Sequence, residues 1–211
     1  MKTVLLPVKD FANAKQRLAP VLSSEARAGL AQAMLADVLD ALSNAGPDRV
    51  VVYTASERIA RMVRPFGFEI VNEPEVSGHS SAVNRMLPIL ASSSERVLAI
   101  ASDLPHLTSD EVNRILDAAC DSLVLLPSRD GAGTNGVLCV TPARIDMAYG
   151  EGSFRRHVQR AADADLPLTV LDIPGIAFDI DTADDLDAFV ADPRLDSETW
   201  RFLRMTRTAA R

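Results

Sequence analysis

The chain has 211 residues, of which 47% are apolar and 24% are charged, and this composition excludes a disordered or fibrous protein. No apolar run approaches the roughly 20 residues that span a bilayer, and the first residues enter a strand without a signal-peptide pattern. We therefore expect a cytoplasmic protein that does not bind membranes. A net charge of −7 argues against a nucleic-acid surface, because a polyanion requires clustered Lys and Arg. A small anionic ligand needs only a local positive pocket.

Seven short apolar or β-branched runs predict strands, in chain order at 3–8, 49–54, 68–71, 96–102, 122–127, 136–141 and 167–173. Helical patterns fall between them, at about 23–44, 56–66, 81–93, 108–119, 153–163, 182–191 and 195–205. The first helix is the clearest, because an apolar stripe runs from Leu30 to Leu42 and Gly46 with Pro47 stops it. Ser23 or Ser24 can cap its start.

Strands that alternate with helices and consist of continuous apolar runs indicate an α/β fold, with a mostly parallel central sheet and helices on both faces. No linker divides the chain, so we predict one domain over 1–211, with a C-terminal helical extension at about 194–211. Trp200 and its apolar neighbours predict that this extension packs on the body of the domain or on a second subunit of a homodimer. Cys120 and Cys139 lack metal-ligand spacing and are predicted to be buried thiols.

The loop after the first strand concentrates positive charge in an acidic protein. Its sequence, "LPVKDFANAKQRLAP" (6–20), contains Lys9, Lys15 and Arg17. In open α/β sheets the ligand crevice lies outside the carboxyl ends of the strands, and phosphate oxygens need cations there to replace their water. The loop is neither a Walker A sequence nor a GxGxxG motif. The alternative is that these side chains are simply solvated.

Three aspartates could hold a metal ion. Asp103 ends the apolar run of "VLAIASDLPHLT" (97–108), while Asp179 and Asp181 lie two residues apart in "AFDIDTADDLDAF" (177–189). Strand side chains repeat with period two, so the latter pair points the same way and repels itself unless a cation intervenes. Hard oxygen ligands of this kind suit Mg²⁺. The alternatives are a helix cap or Asx turn for Asp103, and a turn with an N-cap for the pair. Two further acids fit the dipole of the next helix, which Thr182 begins, and are left out of the site: Asp184 and Asp185.

Two glycine-rich turns offer a place for a second substrate, "SRDGAGTNGVLCV" (128–140) and "YGEGSFRRHVQ" (149–159). Glycines let backbone N–H groups approach an anion, and the helix that starts after Gly152 would present free N–H groups to a carboxylate. Thr134 and Ser153 add hydroxyls. The alternative is ordinary turn chemistry. Three residues of this helix are predicted to lie on its solvated face: Arg155, Arg156 and His157.

Together, "LPVKDFANAKQRL", "SDLP", "GAGTNG", "YGEGSFRRH" and "FDIDTADDL" resemble the guanylyltransferases of coenzyme F-420 biosynthesis, which use 2-phospho-L-lactate, phosphoenolpyruvate or 3-phospho-D-glycerate. The resemblance runs in order from the first strand to about residue 190. It implies a Rossmann-like nucleotidyltransferase fold and a Mg²⁺-dependent transfer of GMP from GTP to a phosphorylated three-carbon acid, with release of pyrophosphate.

The resemblance also implies roles for residues. Metal ligands that position the acceptor phosphate would be Asp103, Asp179 and Asp181, with Asp103 and Lys15 catalytic. GTP phosphates would be bound by Lys9, Lys15 and Arg17, and the acceptor carboxylate by Thr134, Gly150 and Ser153.

One segment departs from the family pattern. Where many members have Gly-Leu-Asn, this chain has "SGHSSAVNRM" (77–86), which is closer to the Gly-x-Ser-Ser segment of molybdopterin nucleotidyltransferases, so the choice among guanine, cytosine and adenine stays open. The alternatives are therefore a molybdopterin or sugar nucleotidyltransferase, a glycosyltransferase that uses "SDLP" as its metal acid, or a non-catalytic nucleotide-binding module.

Overall fold

A computed structural model of the chain describes residues 1–74, 78–119, 121–141 and 145–209, and its seven strands form one sheet. The strands are β1 (Lys2–Pro7), β2 (Arg49–Thr54), β3 (Glu69–Asn72), β4 (Arg96–Ile100), β5 (Leu123–Pro127), β6 (Thr134–Val140) and β7 (Leu168–Val170). Their order across the sheet is β3-β2-β1-β4-β6-β5-β7. β6 runs antiparallel to β4 and β5, and the other pairings are parallel. The predicted mostly parallel sheet is confirmed.

The helices are α1 (Ser24–Ser43), α2 (Glu57–Val63), α3 (His79–Ala91), α4 (Ser109–Leu116), α5 (Ser153–Asp163), α6 (Pro174–Ala177), α7 (Ala183–Ala191) and α8 (Glu198–Ala209). Ser23 is the cap of α1, because its hydroxyl accepts a hydrogen bond from the N–H of Ala26 at 3.2 Å. The sequence did not predict α6, since a single turn beginning at a proline has no apolar period. α6 begins directly after the strand predicted at 167–173, and the observed β7 is shorter than that prediction.

The reversed strand β6 begins two residues before its predicted start. The sequence "GTNG" suggested a turn, but the strand opens at Thr134 and takes Gly136 into its interior. Gly136 leaves room for two core side chains, because a Cβ would lie 2.7 Å from Leu126 Cδ1 and 3.0 Å from Ile176 Cδ1 and would force them to move. Because β6 is antiparallel to β4, its first residues lie at the sheet edge where β1 and β4 end.

Helices cover both faces of the sheet. One apolar cluster packs α1, α2 and α4 against one face, and a second packs α3 and α5 against the other. Cys139 lies in the second cluster and is buried, as predicted, whereas Cys120 lies outside the described residues. Within the described ranges, no helix combines the length and apolar character needed to cross a membrane.

A third cluster joins α1, α7 and α8, so the C-terminal helix packs on the body of the domain. The Asp37 carboxylate on α1 accepts hydrogen bonds from the backbone N–H groups of Glu198 at 2.6 Å and Thr199 at 3.1 Å. The Phe202 ring fills the space beside Gly29, where a Cβ would be 2.5 Å from a ring atom. The predicted packing of this segment on the body of the domain is therefore observed.

Candidate active site

The candidate site lies at the edge of the sheet where β1 and β4 end and β6 begins. The N–H of Ala101, just after β4, donates to the carbonyl of Asn135 on β6 at 2.9 Å. Asp103 comes two residues after this contact in the chain. The loop that carries Lys15 follows β1 at the same edge. Sequence position at a strand end therefore predicts this meeting point correctly, as expected for an open α/β sheet.

Lys15 connects acids that are far apart in the chain. Its ammonium donates hydrogen bonds to the carboxylates of Asp103 and Asp181, the latter at 2.7 Å, and its side chain is only 6% exposed. Two short 3-10 turns, Phe11–Asn13 and Gln16–Leu18, hold Lys15 between them in a left-handed conformation with φ 51°. This conformation costs about 1 kcal/mol outside glycine, and buried Phe11 and Leu18 anchor the loop on either side.

The charges of this cluster depend strongly on one another. Burial alone would raise the pKa of Asp103, but the adjoining Lys15 ammonium lowers that pKa below its ordinary value. Burial would in turn lower the pKa of Lys15, and the two carboxylates outweigh it and raise that pKa. Burial, with repulsion from Asp103 and Asp181, raises the pKa of Asp179 to about 6. The single positive charge of Lys15 therefore does not balance the negative charge of three carboxylates.

The donor set of these aspartates fits a divalent cation in its chemistry. Asp103 and Asp181 lie close enough to Asp179 to raise its pKa, and the three carboxylates offer the hard oxygen atoms that Mg²⁺ prefers. Yet within the part of the chain that the structure describes, no three His, Cys, Asp or Glu side chains already have the spacing of a metal site. The Lys15 ammonium bonds to Asp103 and Asp181 in this structure.

Neighbouring hydrogen bonds show which residues cap the helices that follow the aspartates. The cap of α4 is Thr108, in a capping box with Glu111, so Asp103 does not cap that helix. The cap of α7 is Thr182, in a capping box with Asp185. Asp185 therefore has a helix-capping role, as its position in the first turn predicts, and it also accepts a hydrogen bond from the backbone N–H of Asp181 at 3.2 Å.

Asn135 positions Asp179, and sequence reasoning missed it. Its side-chain amide is buried and donates to the carbonyls of Ile176 at 3.0 Å and Ala177 at 3.3 Å, and to the Asp179 carboxylate at 3.3 Å. A polar residue at the start of a buried strand was the signal available for it. Asn135 thus ties the segment that carries Asp179 to β6.

The other predicted cations lie at the rim of this cluster. Arg17 is 67% exposed and its guanidinium lies 3.9 Å from the Asp181 carboxylate. Lys9 follows β1 and is exposed. Both are available to a phosphate that approaches from solvent, whereas Lys15 is already engaged.

Two of the predicted acceptor residues, Gly150 and Ser153, contact each other, and Thr134 is linked to the same helix through His157. Thr134 and Ser153 are both buried, at 6% and 1% exposed, and the N–H of Ser153 donates to the carbonyl of Gly150 at 3.0 Å. Gly150 has φ 104° and Gly152 has φ 67°, so the turn into α5 uses two conformations that favour glycine.

The prediction that His157 is solvated is wrong. Its side chain is fully buried, with Nδ1 at 3.0 Å from Thr134 Oγ1 and Nε2 at 2.9 Å from the backbone N of Ala148. Arg155 and Arg156 are exposed as predicted, but Arg156 also donates to backbone carbonyls, including that of Ala148 at 3.0 Å.

The chain before Gly150 is held from the opposite side by α3. Asn84 donates to the carbonyl of Met147 at 3.0 Å and accepts from its N–H at 2.6 Å, and Ser80 accepts from the N–H of Tyr149 at 2.9 Å. Both residues belong to the segment 77–86 that departs from the family pattern, of which Ser77 lies outside the described residues. That segment therefore supports the glycine-rich turn.

Solved structures show which known fold this chain shares. A nucleotidyl transferase from Methanothermobacter thermautotrophicus superimposes with a TM-score of 0.61 at 14% identity, covering 96% of this chain and 98% of that one. A Desulfovibrio desulfuricans protein, provisionally described as a nucleotide-diphospho-sugar transferase, gives a TM-score of 0.78 at 17% identity, covering 98% and 95%. The fold is that of Rossmann-like nucleotidyltransferases.

Within that class, the family model described as "Guanylyl transferase CofC like" matches residues 1–209, and the chain belongs to this family. A phosphoenolpyruvate guanylyltransferase from Conexibacter woesei is 38% identical over 189 residues, 87% of this chain and 85% of its own. A 2-phospho-L-lactate guanylyltransferase from Methanothermobacter thermautotrophicus is 34% identical, covering 88% and 83%. A 3-phospho-D-glycerate guanylyltransferase from Phenylobacterium zucineum is 32% identical, covering 88% of each chain.

Proposed function

We propose that this protein is a guanylyltransferase that transfers GMP from GTP to a phosphorylated three-carbon acid and releases pyrophosphate, in coenzyme F-420 biosynthesis in the cytoplasm. The observation that carries the proposal is the contact of Lys15 with both Asp103 and Asp181, which joins three distant segments of the chain at one sheet edge. Membership of the guanylyl transferase family supports the same activity.

The reaction requires the protein mainly to bring two anions together, the GTP phosphates and the acceptor phosphate. The acceptor phosphate is ionised at neutral pH, so its oxygen can attack the α-phosphorus of GTP in line without a strong general base. Lys9, Lys15 and Arg17 bind the GTP phosphates and stabilise the charge that develops on the departing pyrophosphate. Lys15 thereby contacts the reacting groups as a catalytic residue together with Asp103.

The acceptor acid binds next to β6. Its carboxylate is held by the hydroxyls of Thr134 and Ser153 and by the backbone around Gly150, at the N-terminus of α5, where helix N–H groups favour an anion. Held in this way, the acid presents its phosphate to the α-phosphorus of GTP.

Mg²⁺ is the proposed cofactor, and Asp103, Asp179 and Asp181 would hold it. A bound divalent cation neutralises phosphate oxygens and orients them for displacement. The pKa of Asp179, raised by burial and by repulsion from Asp103 and Asp181, supports this role, because a bound cation would offset both effects. Before a cation binds, Lys15 supplies the charge that keeps Asp103 and Asp181 together.

The experiment that tests the function is incubation of the protein with GTP, Mg²⁺ and one acid at a time: 2-phospho-L-lactate, phosphoenolpyruvate or 3-phospho-D-glycerate. We expect pyrophosphate release and, by mass analysis, a GMP adduct of one acid. CTP and ATP in place of GTP test the base, and sugar phosphates test the alternative acceptors. A protein that binds GTP but releases no pyrophosphate with any acid would be a non-catalytic nucleotide-binding module.

A further inference from the structure

His157 has both ring nitrogens engaged inside the protein. It lies on α5 one turn after Ser153, and the spacing of four residues places both on one helix face. Nδ1 is 3.0 Å from the hydroxyl oxygen of Thr134, and Nε2 is 2.9 Å from the backbone N of Ala148. One imidazole ring therefore bridges the first residue of β6 and the chain that leads into the Gly150 turn.

The contact with Ala148 fixes the tautomer of this histidine. A backbone N–H can only donate, so Nε2 must accept and cannot carry a proton. A neutral imidazole has one N–H, which must then be on Nδ1, and Nδ1 donates it to Thr134 Oγ1. Burial, with repulsion from Arg160 and Arg156, lowers the pKa of His157 to about 4, so the ring is neutral at neutral pH.

The tautomer in turn fixes the direction of the Thr134 hydroxyl. Because its oxygen accepts from His157, its own hydrogen points away from the ring and remains available as a donor. An ionised carboxylate can only accept hydrogen bonds. The hydroxyl is thus presented in the one state that suits the proposed acceptor carboxylate.

We propose that His157 is a positioning residue for the acceptor acid, which holds the Thr134 hydroxyl as a donor toward the substrate carboxylate and ties that hydroxyl to the Gly150 turn. The inference rests on the proposed function, because it assigns the hydroxyl to acceptor binding. His157 itself does not touch the acid and acts through Thr134.

A pair of variants separates the two hydrogen bonds of the ring. In His157→Asn the amide nitrogen can replace Nδ1 and still donate to Thr134, whereas in His157→Gln the amide oxygen can replace Nε2 and still accept from Ala148. We expect His157→Gln to raise KM for the acid by about tenfold or more, with KM for GTP unchanged. His157→Asn should stay within about threefold of the wild type, because the donor to Thr134 is retained.

Thr134→Val is the matched control on the partner. We expect it to raise KM for the acid as His157→Gln does, and the double variant should be no worse than Thr134→Val alone. Equal losses in His157→Asn and His157→Gln, or a parallel rise in KM for GTP, would assign His157 a merely structural role and overturn the proposal.

Nitrogen NMR of histidine-labelled wild-type protein tests the tautomer without any variant. We expect the His157 signals of a protonated Nδ1 and a bare Nε2 at neutral pH, and a protonated Nε2 would overturn the positioning role even if the enzyme is active. If the tautomer is as expected but no acid accepts GMP, the proposed function fails. Calorimetric titration of the acids into wild type and His157→Gln then decides whether His157 supports acid binding.

Discussion

Lys15 has two tasks that belong to different states of the protein. In this structure its ammonium holds Asp103 and Asp181 together, and in the proposed reaction it binds phosphate. Removing it leaves two acids facing each other without a counter-charge, and an unpaired charge in a partly buried site is costly. A divalent cation is the natural replacement for the lost ammonium.

Lys15→Ala should therefore slow GMP transfer by about 100-fold or more, and it should make the thermal midpoint depend more on added Mg²⁺ than in the wild type. Thermal unfolding with EDTA, with NaCl of matched ionic strength and with Mg²⁺ measures the second effect. Arg17→Ala, at the exposed rim, is the control and should change none of the three midpoints by more than about 2 °C. A Mg²⁺ response equal to that of the wild type would contradict the charge-replacement argument.

The aspartates of the proposed site differ from nearby acids that only complement the dipole of a helix. Asp103→Asn and Asp181→Asn should each lower turnover by about 100-fold or more, while circular dichroism shows an intact fold. Asp184→Asn is the matched control, because Asp184 is an exposed acid three residues beyond Asp181, in the first turn of α7. Pyrophosphate release at saturating substrates measures all three, and near-normal rates in either site variant would remove that residue from the site.

At the scale of elements, β6 organises the site through its first two residues. Thr134 contacts α5 through His157, and Asn135 contacts α6 and Asp179, because successive strand side chains face opposite sides of the sheet. One strand end therefore positions both the acceptor side and the acidic side of the proposed reaction.

Asn135→Ala should destabilise the protein by about 1–3 kcal/mol, because it leaves the buried carbonyls of Ile176 and Ala177 without their donor. It should also lower turnover, since Asp179 loses its tether to β6. Urea unfolding gives the first quantity and pyrophosphate release the second. Asn44→Ala, at an exposed helix end where the side-chain amide bonds to the neighbouring Asp40 and Ser43, should change the unfolding free energy by less than about 1 kcal/mol. Equal effects of the two substitutions would argue against a tether.

The elements were more predictable than their orientation. Buried parallel strands consist of continuous apolar runs, so all seven strands could be located from the sequence. The reversal of β6 could not, because the alternation of side chains along a strand is the same in either direction. The α5 pattern contained a usable signal, since Ser153, His157 and Ala161 recur every four residues and form the buried face. Two of these three residues are polar, which concealed that face.

The candidate site was predictable as a location but not as a network. Strand ends placed Lys15, Asp103 and Asp181 at one edge of the sheet. Their hydrogen bonds span 88 and 166 residues of chain, and no local pattern encodes such pairings. His157 and Asn135 escaped prediction for the same reason, because each has its role through a partner that is distant in sequence.

For the molecule as a whole, the histidines predict sensitivity to acid. All three have a lowered pKa, with burial as the largest cause: His79 and His157 at about 4, and His106 below its ordinary value. A histidine with a lowered folded pKa contributes stability that is present above its unfolded pKa, about 6.5, and lost as the pH falls through the folded pKa. Asp179 has the opposite sign, because its raised pKa makes protonation favour the folded state between about 4 and 6.

The free energy of unfolding should therefore fall as the pH decreases from about 6.5 to 4, with Asp179 offsetting part of the loss. His157 alone should account for about 2 kcal/mol between pH 7.5 and 5, since its side chain is fully buried and its folded pKa of about 4 lies well below the unfolded value of about 6.5. Urea unfolding at pH 7.5, 6 and 5, followed by circular dichroism, measures this loss. His157→Gln is the control, because glutamine does not titrate: over the same interval it should lose about 2 kcal/mol less than the wild type. If the two proteins lost stability in parallel, His157 would have the same pKa in the folded and unfolded states. The ring would then not be held neutral by burial, and it could not fix the direction of the Thr134 hydroxyl.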